Sequence, residues 1–303
     1  MKKVLVGALI ACLTLGLATV AFAGTEISTS GAIEFTVSGT SDGASGLFGA
    51  GDVLIDYNVV ATSGPWKAVV SPEFDIGGDD FCECDAYIDY EGEAFTLRLD
   101  PTGISNAIFD IYSYKADDEL NMKGNPGIKL TIPMEGFSFY VVANNQDDGE
   151  GNTVFNFGGG VDFSMDSLSF GLKFNSDSVE SSAFYGTSYG AKVEYSAGAL
   201  SLTGEYGAWN PKEDTLEAGS GYFFKMVYTL AGGDSLTLQY KSSDENLNGL
   251  TSGPTDHAYS QIKGVYSHSL AENVTCSFEV ASTDNGYDEE SVTTWKAKLS
   301  ISV

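Results

Sequence analysis

Apolar and polar residues alternate along most of this chain with a period of two. The last segment is the cleanest case: Trp295, Ala297, Leu299, Ile301 and Val303 alternate with Lys296, Lys298, Ser300 and Ser302. The same rhythm runs through Ile27, Thr29, Gly31, Ile33, Phe35 and Val37, through Leu168, Phe170, Leu172 and Phe174, and through Tyr222, Phe224, Met226 and Tyr228. Side chains on a strand point alternately to its two faces, so each segment predicts a β-strand with one apolar and one polar face. No sustained 3.6-residue pattern follows residue 24.

About sixteen strand cores are predicted, the first at 27–38 and the last at 292–303, among them 81–90, 94–100 and 200–206. From the middle of the chain onward the connections alternate in length. Short ones centre on Met165-Asp166-Ser167, Ala197-Gly198-Ala199 and Ala231-Gly232-Gly233-Asp234; long ones run over about 144–152, 176–187, 207–220, 242–257 and 283–291. Short turns at one end and long polar loops at the other are the pattern of an outer-membrane barrel. A β-sandwich gives no reason for it. The predicted fold is an all-β transmembrane antiparallel β-barrel of about 16 strands, with short periplasmic turns and long extracellular loops. Pro72 falls inside a predicted strand and is expected to mark a bulge or an early end.

Residues 1–23 stand apart. Lys2 and Lys3 precede an uncharged run from Val4 to Ala23 that ends Ala21-Phe22-Ala23. This reads as a secretory signal peptide removed before Gly24, leaving one domain over 24–303. No later run is long and apolar enough for a membrane helix, so membrane insertion would have to be by strands.

Charge narrows the choice of function. Removing Lys2 and Lys3 from 15 basic side chains leaves 13 against 42 acidic ones, a net charge of −29. Nucleic acid is thereby a poor partner, since phosphate binding needs a basic footprint. Cys82, Cys84 and Cys276 are too few for a disulfide scaffold and read as small apolar strand residues. His257 and His268 flank no nucleophile motif, and no phosphate loop or metal-ligand spacing occurs, so neither enzyme nor cofactor is expected. The acidic stretches 144–150 and 284–290 are oxygen-rich without the spacing of a calcium loop. Weak surface binding of divalent cations is expected there, and no dedicated metal site.

Taken together, the export segment, the alternating strands and the long connection after the fifth strand make the chain similar to the general bacterial porins. That resemblance covers 24–303 at the level of architecture. It implies a channel, a homotrimer, contact with lipid and lipopolysaccharide, and insertion by the barrel-assembly machinery. It also implies that the connection 101–126 folds inward as a constriction loop. Two departures stand out: the chain finishes on Val303 where the family usually has Phe, and it has one arginine, Arg98, in place of the family's cluster.

If apolar faces meet lipid, the opposite faces line a lumen. The candidate constriction residues are then Asp110, Lys115, Asp117, Asp118 and Glu119 on the loop, with Glu83, Asp85 and Arg98 on the wall. Early strands offer an acidic wall: Glu26, Glu34, Asp56, Glu73, Asp75, Glu83, Asp85 and Asp89. Later ones offer a basic wall: Lys173, Lys192, Lys225, Lys241, Lys263, Lys296 and Lys298. The two are expected to face each other across the pore, with cations preferred. Tyr57, Trp66, Tyr90, Tyr206, Tyr228, Tyr240 and Trp295 are candidates for interfacial girdles. The competing reading is a secreted, acidic, β-rich surface-layer or adhesin-type protein that never enters a membrane.

Overall fold

The computed structural model describes residues 25–40, 51–76, 83–101, 126–147, 153–178, 185–212, 217–244, 258–284 and 291–302. The export segment 1–23 and almost all of the connection 101–126 lie outside the described residues.

Sixteen strands form one closed antiparallel barrel. They are β1 Glu26–Thr40, β2 Gly51–Ser63, β3 Trp66–Ile76, β4 Glu83–Glu91, β5 Thr96–Asp100, β6 Gly127–Met134, β7 Phe137–Asp147 and β8 Thr153–Met165. Then come β9 Leu168–Asp177, β10 Gly186–Ala197, β11 Leu200–Pro211, β12 Gly219–Thr229, β13 Ser235–Ser243, β14 Tyr259–Ala271, β15 Val274–Asp284 and β16 Val292–Ser302. Each strand pairs with its sequence neighbours, and β16 pairs with β1 from Thr294↔Thr40 to Ser302↔Ala32. Closure leaves no sheet edge, so every strand's backbone groups find partners within the wall.

Several predicted boundaries shift. β11 runs on to Pro211, so much of the stretch expected to be a long loop from 207 is strand. The fifth strand has only five residues and begins later than expected, at Thr96. Pro72 neither ends β3 nor bulges it. The ladder to β2 omits two pairs, Tyr57 with Pro72 (which has no N–H to donate) and Asn58 with Ser71, and resumes in the same register at Asp56↔Glu73. Beside the gap, the Ser71 hydroxyl donates to Asn58 Oδ1 at 2.6 Å and spans the two strands with side chains.

Register separates the two faces of the wall. One parity carries Phe35, Ile88, Val141, Phe157, Leu172, Tyr206, Phe224, Leu238, Ile262 and Phe278, all exposed. The opposite parity carries Asp89, Tyr140, Asn144, Trp209, Glu205 and Phe223, all buried. Side chains crowd on the concave side of a closed sheet, so the second set faces inward. Small residues make room there: a Cβ on Gly160 would run into the Tyr140 ring, which lies flat across the wall from the neighbouring strand.

Aromatic residues mark two levels of the outer face. Trp66 and Tyr90 meet edge to face at 5.1 Å, and Phe137 and Phe163 at 4.7 Å, beside the short turns. Tyr195, Tyr228 and Tyr266 continue that level. Tyr222 and Tyr240 at 5.9 Å, and Phe157 and Phe174 at 6.3 Å, lie toward the long connections. Tyr189 and Tyr195 on β10, and Tyr222 and Tyr228 on β12, are each six residues apart. That is roughly 20 Å along a strand, the scale of a membrane's apolar band.

Candidate channel lumen

The inner face holds almost all of the chain's described positive charge. Of eleven basic residues among the described ones, ten share the inward parity, and Lys212 lies beyond the end of β11. All seven lysines of the expected basic wall are inward: Lys173 on β9, Lys192 on β10, Lys225 on β12, Lys241 on β13, Lys263 on β14, and Lys296 and Lys298 on β16. Lys67 and Lys129 join them, though the expected wall lacked both. Each sits at an alternation position in its strand, so the pattern that marked the others marks them too.

The wall candidates divide. Asp85 faces inward opposite Ser71, and the backbone register places Glu83 opposite Glu73. Arg98 faces inward as well, but its charge is already matched. Its Nε donates to Asp89 Oδ1 at 2.8 Å and its Nη2 to Asp89 Oδ2 at 2.9 Å. Asp89 is 3 % exposed. The guanidinium also covers the Tyr87 ring at 3.7 Å. This two-pronged pair on the β4–β5 hairpin is the strongest ion pair of the described wall by geometry, because both bonds are short and the carboxylate is dry. The loop candidates Asp110, Lys115, Asp117, Asp118 and Glu119 lie outside the described residues.

Charge is distributed by sector. Strands β1–β4 turn Glu26, Glu34, Asp56, Glu73, Asp75, Asp85 and Asp89 inward, with Lys67 the one described basic residue. Asp56, Glu73 and Glu83 stand directly side by side across three strands. Strands β9–β16 carry the seven lysines, several of them paired. Lys192 Nζ lies 2.8 Å from Glu194 and 3.5 Å from Glu205; Lys263 lies 3.6 Å from Glu279; Lys298 is bonded to Glu34 across the β16–β1 closure.

Strand order divides the expected basic wall between two places. In a sixteen-strand barrel β1–β4 face β9–β12, where Lys173, Lys192 and Lys225 are balanced by Asp177, Glu194 and Glu205. Strands β13–β16 turn Lys241, Lys263, Lys296 and Lys298 inward, and among their described residues Glu279 is the one acidic side chain of that face. These strands adjoin β1–β4 through the closure. Acidic and basic sectors therefore meet edge to edge at the β16–β1 seam.

A recess of about 350 Å³ opens on that seam. Glu34, Thr36, Leu54 and Asp75 line it from one sector; Ser277, Glu279, Lys296 and Lys298 line it from the other.

His268, expected to be incidental, has a structural tie. Its Nδ1 lies 2.7 Å from Asp234 Oδ1, and the Tyr266 hydroxyl donates to Asp234 Oδ2 at 2.6 Å. The Tyr266 hydroxyl first, and His268 second, hold the Asp234 carboxyl below the usual carboxylate range. The Cys84 thiol faces the Asp85 carbonyl at 3.9 Å, Cys276 is a free thiol, and Cys82 lies outside the described residues. Among the described residues no group of three or more His, Cys, Asp or Glu side chains could hold a metal ion. Most of the two acidic stretches expected to attract divalent cations, 148–150 and 285–290, lies outside the described residues.

No family model matches this chain, and no curated protein does. Solved structures do. A mutant of the Rh. blastica porin superposes with a TM-score of 0.66 at 16% identity, covering 92% of this chain and 100% of that one. The anion-selective porin from Comamonas acidovorans gives 0.65 at 16% identity, with the same coverage. A porin refined at 1.8 Å gives 0.63 at 11% identity, again covering 92% of this chain and 100% of that one. From end to end of its barrel, this chain has the fold of the bacterial porins.

Proposed function

We propose that this chain is an outer-membrane porin, a water-filled channel through which small hydrophilic solutes and ions diffuse, and that it is not an enzyme. One observation carries the reading: a closed barrel that exposes an aromatic-bounded apolar band outward and turns nearly all its described strand charges inward. Lipid requires such an exterior, and water such an interior. A secreted surface-layer protein has no use for an apolar band that circles the whole barrel.

Residues 1–23 serve as the removed export signal, and 101–126 enters the barrel as a constriction carrying Asp110, Lys115, Asp117, Asp118 and Glu119. The overall acidity and the unbalanced β1–β4 sector support a mild preference for cations, opposed by the lysines of β13–β16. A homotrimer in lipid and lipopolysaccharide, inserted by the barrel-assembly machinery, completes the proposal. Divalent cations bind the acidic outer loops weakly.

The test is single-channel conductance of detergent-purified protein in a planar bilayer under a salt gradient. Discrete stable steps with a reversal potential on the cation side are expected. Folded, β-rich protein that gives no steps would overturn the channel reading; steps with an anion-side potential would overturn the preference alone.

A further inference from the structure

Three strand tyrosines among the described residues share the inward parity, Tyr87, Tyr140 and Tyr259, and each carries a cation over its ring. The Arg98 Cζ lies 3.7 Å from the Tyr87 ring centre, the Lys129 Nζ 4.3 Å from that of Tyr140, and the Lys241 Nζ 5.4 Å from that of Tyr259. The register is the same each time. The cation stands opposite the residue two positions along from the tyrosine: Arg98 opposite Asp89, Lys129 opposite Val142 and Lys241 opposite Gln261. Such diagonal neighbours are about 7–8 Å apart, within reach of a long side chain that folds back over a ring. Arg98 is fixed by Asp89 as well. Lys129 is in no ion pair of the described residues, so the ring is what holds its ammonium. Tyr140 in turn is built to lie low on the wall. Its partner on β8 is Gly160, where a Cβ would come within 2.6 Å of the ring's Cζ. Its hydroxyl has no hydrogen-bond partner among the described residues, so the face of the ring, not the oxygen, makes the contact.

We infer that Tyr140, and more weakly Tyr259, are positioning residues for ion selection: each draws a lysine ammonium back against the wall and out of the permeation path. The inference deepens the channel reading above and rests on it. A lysine ordinarily extends its ammonium into water, where on a channel wall it attracts anions and repels cations. The negative face of a ring attracts the ammonium instead and keeps it beside the sheet. The potential of a charge in 0.1 M salt decays over about 10 Å, so a retreat of a few ångströms weakens what a passing ion feels. A carboxylate is repelled by the same face and stays in the water. The device therefore acts on one sign of charge only, and tips the pore toward cations without changing its net charge. Gly160 is part of it, because a side chain there would push the ring, and Lys129 with it, into the lumen.

The experiment is the reversal potential of the protein in a planar bilayer under a potassium chloride gradient near about 0.1 M. Tyr140→Leu leaves the charge unchanged and is expected to lower the cation-to-anion permeability ratio by about two-fold. Tyr140→Phe keeps the ring and is expected to retain the unaltered ratio. Added to Lys129→Gln, Tyr140→Leu is expected to change nothing further, because the charge it positions is gone. The shift is also expected to fade at about 1 M salt, where the screening length is about 3 Å. The same cycle on Tyr259 and Lys241 is expected to give a smaller shift of the same sign, the ammonium there being farther from the ring. That second cycle decides the matter if Tyr140→Leu does not fold. Equal shifts with and without the lysine, or a Tyr140→Phe protein that behaves as Tyr140→Leu does, would overturn the inference while leaving the channel intact. Absence of any conductance from the unaltered protein would instead strike the channel reading on which it rests.

Discussion

The inner wall has two sectors that handle charge differently. In β9–β16, Lys192 and Lys263 stand beside glutamates, and the sector's excess charge is spread over four strands. In β1–β4 the register sets acidic positions side by side, as Asp56 opposite Glu73 and Glu73 opposite Glu83. Like charges directly opposite on neighbouring strands destabilise a sheet by a few tenths to about 1 kcal/mol each. Folding alone would have removed such a row by placing a lysine in the middle. Its presence is understandable where water and mobile ions screen the wall and where the field has a use. The β9–β16 sector pairs much of its charge internally, whereas Asp89 and Glu34 of β1–β4 take their partners from neighbouring strands, Arg98 on β5 and Lys298 on β16.

The comparison is tested most severely where the acidic sector ends. Among the described residues of β1–β4, Asp89 is the one carboxylate that is nearly dry, and Arg98 is what makes it tolerable. Arg98→Ala is expected to lower stability by about 2–3 kcal/mol, because it leaves a buried charge unpaired; the partly exposed arginine keeps the figure below that of a fully buried pair. Arg98→Lys keeps the charge but loses the two-pronged geometry, and should recover only part of the loss. Urea unfolding in lipid vesicles measures both. If Arg98→Ala matches an exposed substitution such as Lys212→Ala, then Asp89 is no more buried than its neighbours, and the sector is uniform.

A smaller effect is expected in conduction. Neutralising Asp56 and Glu73 together (Asp56→Asn, Glu73→Gln) should shift the reversal potential toward anions. Neutralising Lys241 and Lys263 (Lys241→Gln, Lys263→Gln) should shift it the other way by less, because Glu279 then loses its partner and restores negative charge to the wall. A change of about 1 kcal/mol corresponds to roughly five-fold in the permeability ratio for the acidic pair. Shifts of equal size would mean that the two sectors act as simple totals of charge, whatever their internal pairing.

How much of this can be read from the chain follows from the same physics. Alternation over Trp295–Val303 and its counterparts determines which face of each strand is apolar, and the run of short and long connections determines which end each turn occupies. Closure by pairing β16 to β1 follows from a meander with no spare edge, and it makes the first and last strands neighbours. Closure sets Lys241, Lys263, Lys296 and Lys298 beside β1–β4, whereas Lys173, Lys192 and Lys225 stand opposite, a division that distance along the chain does not reveal. Pro72 misled for a local reason: the ladder to β2 is interrupted over two pairs, but pairing with β4 continues at Pro72↔Cys84 and carries the strand on to Ile76. The Arg98–Asp89 pair is legible in principle by folding the hairpin about 92–95, where the register sets the two opposite each other. Asp234 and His268 are 34 positions apart and meet only once β13 and β14 are in register, so no short pattern reveals them.

That last contact extends the comparison from the walls to the turns. The β2–β3 turn of the acidic sector relies on backbone, with Gly64 at a φ of 56° followed by Pro65. The β12–β13 turn of the basic sector is tied by side chains: Asp234 accepts from the Tyr266 hydroxyl and meets His268, whose ring stacks on Tyr266 at 6.5 Å. The Asp234 carboxyl is held lower in the folded chain than in the unfolded one, by Tyr266 first and His268 second. The folded state therefore prefers the ionised carboxylate. Its contribution is fully present above the unfolded carboxyl's pKa, near 4, and is lost as pH falls through the lower folded value. Unfolding temperature measured from pH 7 down to pH 2 should show an acid-side loss that is smaller in Asp234→Asn than in the unaltered protein. The difference should be slight, since the turn is fully exposed to solvent. Identical acid-side curves would mean that the side-chain tie adds nothing beyond what Gly232 and Gly233 already supply through their left-handed backbone, and that the turns of the two sectors are held in the same way.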